Sequence, residues 1–95
     1  MKKVIVLILS LGLLLTACAP KPGTNVSIKN ENAIGCRVFA TYAGEWTDCL
    51  PLPIYTQGVV TNHPKLGHEY IGRVRVTLVG YGTYWMQVDD LEVIK

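Results

Sequence analysis

Tyr70-Ile71-Gly72-Arg73-Val74-Arg75-Val76-Thr77-Leu78-Val79-Gly80-Tyr81-Gly82-Thr83-Tyr84-Trp85-Met86-Gln87-Val88 is the stretch from which the fold class can be read. Tyr70, Gly72, Val74, Val76 and Leu78 share one parity, and Arg73, Arg75 and Thr77 the other, with Ile71 and Val79 at the ends. Period-two alternation rich in β-branched residues predicts a half-buried strand. Gly80-Tyr81-Gly82 reads as a turn and Thr83 to Val88 as a returning strand. Downstream, Asp89-Asp90 breaks the pattern and Leu91 to Ile94 forms a last short strand. Upstream, Val26 and Ile28 alternate with Ser27 and Lys29. Cys36 to Tyr42 places Val38, Ala40 and Tyr42 on one parity, and Val59-Val60 centres a short strand within Thr56 to Thr61. Asn62 to Gly67 predicts a turn. Gly44 to Pro53, punctuated by Gly, Asp and two prolines, predicts a long loop. No segment repeats apolar residues at helical spacing. Several short strands on so small a chain predict an all-β single domain, a small barrel or curled antiparallel sheet, SH3-like or OB-like.

Further outward, the N-terminus has a different character. Lys2 and Lys3 precede an aliphatic run from Val4 to Leu15, interrupted only by Ser10 and Gly12. Leu15-Thr16-Ala17-Cys18 follows. A positive start, an apolar core and small residues before a cleavage point define a removable secretion signal. The run is too short to cross a bilayer, which takes about 20 residues. The last four residues match a lipobox, whose cysteine receives a covalent diacylglycerol. The expected organisation is a signal peptide over residues 1–17, a lipidated N-terminus and tether over 18–24, and a β domain over 25–95. Pro20, Pro22 and Gly23 leave the tether extended and short. Ala19 stands where Asp would favour retention in the inner membrane of similar lipoproteins. The expected location is therefore the outer membrane, with the domain facing the periplasm.

Composition is informative only once the signal is removed. The whole chain carries nine Lys plus Arg, seven Asp plus Glu and a net charge of +2. Lys2 and Lys3 leave with the signal, and seven charges of each sign remain. A neutral domain gives no reason to expect nucleic acid as a partner. With Cys18 lipidated, Cys36 and Cys49 remain as an even pair in an oxidising compartment, which predicts a disulfide. Domains of this size commonly need such a staple.

Little in the chain suggests catalysis. Ser27 lies in a strand with no motif around it, and His63 and His68 flank a turn without further ligands at metal-binding spacing. No enzyme activity, metal or cofactor is expected beyond the lipid on Cys18. Thr77-Leu78-Val79-Gly80-Tyr81-Gly82 ends like a potassium-channel filter. That loop functions only between pore helices, which this chain does not encode after its signal. The aromatics are more suggestive. Tyr81, Tyr84 and Trp85 gather around a Gly-rich hairpin, and Trp46 lies in the expected long loop. Large rigid aromatics on loops anchor protein partners. Trp46, Tyr81, Tyr84 and Trp85 are the expected contacts, with Arg73 and Arg75 as their polar rim.

The lipobox, the two-cysteine β domain and the segment Gly80 to Val88, with its Tyr-Gly-Thr-Tyr-Trp run, resemble phage-encoded superinfection-exclusion lipoproteins of the lytic-conversion type. The resemblance implies an outer-membrane lipoprotein without catalytic activity that inactivates the receptor its phage uses for entry. The expected partners are the membrane, through the lipid, and an outer-membrane protein. Alternatives are a structural lipoprotein of a conjugation or secretion machine, a plasmid entry-exclusion lipoprotein, and a lysozyme inhibitor. The last usually shows a Ser-Gly-rich inhibitory loop that is absent here. The lipobox makes one direct prediction. Mass analysis of the mature chain from a bacterial envelope will find Cys18 as the N-terminal residue, carrying diacylglycerol. Cys18→Ser will abolish the modification and move the chain into the soluble periplasmic fraction.

Overall fold

The computed structural model describes residues 19–94, so the expected signal peptide and Cys18 lie outside the described residues. Eight strands follow one another: β1 (Asn25–Ile28), β2 (Ile34–Ala40), β3 (Glu45–Pro51), β4 (Gln57–Val60), β5 (Glu69–Tyr70), β6 (Arg73–Leu78), β7 (Gly82–Gln87) and β8 (Leu91–Val93). A single 3-10 turn at Val88–Asp90 joins the last two. All pair antiparallel in one sheet of order β3-β2-β7-β6-β4-β1-β8, with β5 added to β6. The two ends of this order, β3 and β8, do not pair, so the sheet is not closed. The chain is thus all-β, a single antiparallel sheet with one disulfide, as its alternation predicts. No helix among the described residues is long and apolar enough to cross a membrane.

The ladder between β6 and β7 organises both faces. Its register sets Val74 beside Met86 and Val76 beside Tyr84. These four side chains point into the core with Val26, Ile28, Val60, Leu78 and Leu91. Burying each aliphatic side chain contributes roughly 1.5–3 kcal/mol. Leu52 closes the core from beyond β3, held by its N–H donating to the Ala33 carbonyl at 2.9 Å. On the opposite parity Arg73 pairs with Gln87, Arg75 with Trp85 and Thr77 with Thr83. That parity faces away from the core.

Two glycines record how closely neighbouring segments approach. A Cβ on Gly35 would lie 2.5 Å from Leu52 Cδ1 and 2.9 Å from Tyr84 Cβ, and one on Gly58 would collide with the Thr77 carbonyl oxygen. Neither position has room for a side chain.

Three expectations are corrected. The Gly44–Pro53 stretch is not a loop, because Glu45–Pro51 forms the full-length strand β3 opposite β2. Its loop-like residues occupy places where an edge strand accepts them. Pro51 is the last strand residue, and a proline is tolerated on an edge where no ladder N–H is needed. Asp48 takes the left-handed φ of 55° that Asp adopts more readily than most residues. The predicted single strand through Tyr70–Leu78 is two, broken by a turn at Ile71-Gly72 whose residues have φ of 47° and 75°. Positive φ at both positions makes it a type I′ hairpin. With β3 added and this strand divided, the described residues form eight strands, more than the sequence pattern suggests.

Cys36 and Cys49 form the disulfide, bridging directly paired positions of β2 and β3 at a separation of 13 residues. Closing a loop of this size removes chain entropy worth about 3 kcal/mol. Urea unfolding of Cys36→Ser/Cys49→Ser will show a loss of about that size. Gly58→Ala will cost about 1–3 kcal/mol with the disulfide intact, because the added methyl meets backbone that cannot turn away.

Candidate docking surface outside the core

The β2–β3 hairpin does not stay in the plane of the sheet. β2 pairs with β7 only at Gly35–Met86 and Cys36–Trp85. Beyond that point β2 continues with β3 alone, through Val38–Thr47 and Phe39–Trp46 to Ala40–Glu45. The disulfide sits where the arm leaves β7, and left-handed Asp48 stands one residue before Cys49 in β3. The arm carries Phe39 and Trp46 over the face of β6 and β7 that turns away from the core. Phe39 meets Trp46 edge-on at 5.2 Å between ring centroids and Tyr70 at 6.0 Å. Trp46 lies 5.7 Å from Trp85 and 6.2 Å from Tyr70, and Tyr70 lies 5.9 Å from Trp85. Edge-on and tilted rings at these spacings attract beyond simple area burial, by about 0.5–1.5 kcal/mol a pair.

A second element folds over the same face. Residues 61–68 arch out between β4 and β5. Within the arch, His63 and Gly67 exchange backbone hydrogen bonds of 2.9 and 3.1 Å. The Nδ1 of His63 accepts from the N–H groups of Lys65 and Leu66, both at 3.1 Å. These bonds fix the imidazole 6.4 Å from the Trp85 ring. Arch and arm leave between them a cleft of about 240 Å³, walled by Val38, Phe39, Trp46, His63, Leu66 and Tyr70, with Trp85 at its base.

Arginines surround the rings. The Arg73 guanidinium stands 5.3 Å over the Trp46 ring, and its Nη1 donates to the carbonyls of Trp85 (3.3 Å) and Ile34 (3.4 Å). Burial pulls the pKa of Arg73 down from its ordinary value, with the charge of Asp90 opposing the shift. Arg75 Nη1 donates to the Asn62 carbonyl (2.7 Å) and to Thr61 Oγ1 (3.2 Å), holding the start of the arch. Arg37 Nη2 donates to the Tyr84 hydroxyl at 2.9 Å, with its guanidinium 4.9 Å from that ring. This hydrogen bond, then the charge interaction with Tyr84, raises the Arg37 pKa. In these bonds the acceptors are carbonyls and hydroxyls, so the guanidinium forks keep donors for an incoming carboxylate or carbonyl.

The structure brings together Trp46, Trp85, Arg73 and Arg75 of the expected contacts. It sets two others apart. Tyr84 is 3% exposed and belongs to the core, since its parity in β7 is that of Met86. Tyr81 is exposed in the β6–β7 turn, on its own. Trp85, 5% exposed, is covered by the arm and supports the surface rather than presenting itself. Phe39, Tyr70 and Arg37 join the site without having been singled out, and His63, weighed only as a metal ligand, joins it as a ring beside Trp85. The one signal for Phe39 was its mirror position to Trp46 across the Thr41–Gly44 turn, which only a hairpin reading of that stretch reveals. Among the described residues no group of three or more His, Cys, Asp or Glu side chains converges to hold a metal ion.

Denaturant titration will separate the two tryptophans. Trp85→Ala will cost about 3–5 kcal/mol, as for other buried large-to-small changes. Trp46→Ala will cost less, because its ring is only half-buried. A double-mutant cycle between Arg73→Gln and Trp46→Leu will give a coupling of about 0.5–1 kcal/mol.

No protein-family model, no curated protein and no solved structure matches this chain.

Proposed function

We propose that this chain is a lipid-anchored module of the outer membrane that acts without catalysis, by docking on another envelope protein and occluding it. The lipobox supports the anchor, and the resemblance of Gly80 to Val88 suggests a phage receptor as the occluded protein. The observation that carries the reading is the group of half-buried rings, Phe39, Trp46 and Tyr70, set among arginines on the face opposite the hydrophobic core. Aromatic and arginine side chains dominate the energetics of protein interfaces, in patches whose surroundings exclude water. A disulfide at the root of the arm limits what docking must order, which lowers the entropic cost of association. Lipidation confines the module to two dimensions and raises its effective concentration beside membrane targets.

The test is plating efficiency of a diverse phage panel on cells that express the chain. Wild type will reduce plating of phages that share one receptor, and Cys18→Ser will restore it. Trp46→Ala will weaken exclusion by about tenfold or more while the protein still accumulates, as expected for an interface anchor. If no phage is affected although the chain reaches the outer membrane, the occlusion reading fails. The same surface would then be assigned by in-cell crosslinking to a neighbour in a conjugation or secretion assembly.

A further inference from the structure

With Cys18 taken as the lipidated residue, we infer that the end of the sheet bearing the tether lies on the phospholipid surface, and that Tyr42 and Ile71, at the tips of two neighbouring hairpins, enter its interfacial layer. Ile71 is the first observation. It occupies the first central position of a type I′ turn with φ of 47°. Such turns favour Asn, Asp or Gly, and a β-branched residue in the left-handed region is strained. Its side chain is nevertheless 53% exposed, so little packing within the chain compensates. Such strain recurs at functional positions, and because Tyr55 at the other end of the sheet also has a positive φ, of 72°, it is the tether that decides between the two ends. Tyr42, at the tip of the β2–β3 arm, is 94% exposed. Gly44 from its turn lines one groove with Ile71 and Gly72, so the two tips are neighbours.

The position of the tether is the second observation. β1 pairs with β4 through Asn25–Val59, and the Gly23 N–H donates to the Val60 carbonyl at 2.8 Å. The tether therefore leaves the sheet at the end of β4. β6 runs antiparallel to β4 with Val76 beside Val60, so the start of β6 extends past that same end. Gly72 lies four residues before Val76, about 13 Å further out at strand rise. Four residues lie between Cys18 and Gly23, five Cα steps with a reach of at most about 18 Å. A turn closed by the Thr24 N–H on the Lys21 carbonyl (3.1 Å) shortens it. The hairpin tips thus project about as far as the tether extends, and an anchored domain keeps them at the headgroups.

Charge selects the lipid. Glu69 and Asp89 line the groove between the tips, and exposed Glu45 follows Gly44. The nearest cation, Arg73, is stacked on Trp46. An acidic rim around apolar tips suits zwitterionic headgroups with an exposed amine, and tyrosine favours the interfacial layer. The exposed Tyr55, Val79 and Tyr81 lie at the opposite end of the sheet, where Tyr55 bonds to Ile28 and Val79 to Gln57. They face away from the membrane.

The experiment uses the full lipidated chain in nanodiscs of phosphatidylethanolamine and phosphatidylcholine, with a nitroxide on a fraction of the headgroups. Backbone amide signals are read for paramagnetic broadening. Broadening will be strongest at residues 41–44 and 70–72 and weakest at 55 and 79–82. The unlipidated Cys18→Ser chain, at high vesicle concentration, will show the same pattern more weakly. Tyr42→Ser/Ile71→Asn will retain or raise Tm, since Asn suits the turn, and will lower vesicle partitioning of the Cys18→Ser chain about tenfold. Uniform broadening, strongest broadening at 55 and 79–82, or partitioning unchanged by the double substitution overturns the inference. Failure of Cys18 to acquire lipid removes the anchor alone, and the Cys18→Ser measurements still decide whether the tips meet the bilayer.

Discussion

The indole of Trp85 is where the arm and the arch both meet the sheet. Beneath it runs β7, whose alternate side chains Tyr84 and Met86 belong to the core. Above it lie Trp46 and Tyr70, and His63 stands at its edge. The arm and the arch are the two parts of the chain that leave the plane of the sheet, and both close on this one ring. One strand therefore supplies two packed layers from its two parities. A domain of this size rarely has enough apolar residues for that. It succeeds here because the outer layer is aromatic, and each ring buries more area than an aliphatic side chain.

The disulfide and Arg73 do for the arm what ladder hydrogen bonds do elsewhere. Pairing with β7 ends at Cys36, and there the covalent link to Cys49 begins. Arg73 then bridges the carbonyls of Ile34 and Trp85 from below while stacking on Trp46. The arm is thus fixed at its root and at its middle, and only its tip at Thr41–Gly44 extends beyond the packed rings. Rigidity at the base and exposure at the tip are what a protruding recognition element requires, whether its target is a protein or a lipid surface.

The sequence was most legible where period two ran unbroken. The β6–β7 ladder, β1 and the disulfide follow directly from alternation and cysteine count. β3 was illegible because Gly44, Asp48, Pro51 and Pro53 are ordinary loop residues, and only tertiary placement makes them acceptable on an edge. The break at Ile71-Gly72 was hidden for the opposite reason: isoleucine continues a strand pattern, and Gly72 was the lone local sign of a turn there. The site suffered from both errors. With β3 read as loop, Trp46 had no strand partner and Phe39 no role. Tyr84 and Trp85, adjacent in sequence, seemed to form one cluster, although adjacent strand residues face opposite sides.

The open sheet ends in β3 on one side and β8 on the other, and membrane attachment would crowd copies of the domain into a plane. Unpaired strand edges at high local density invite strand-to-strand polymerisation. Neither edge here offers a usable template. β8 is three residues long. β3 is interrupted by left-handed Asp48 and ends in Pro51, which has no N–H to donate. The same irregular residues that disguise β3 as a loop make its edge a poor template for another copy's strand.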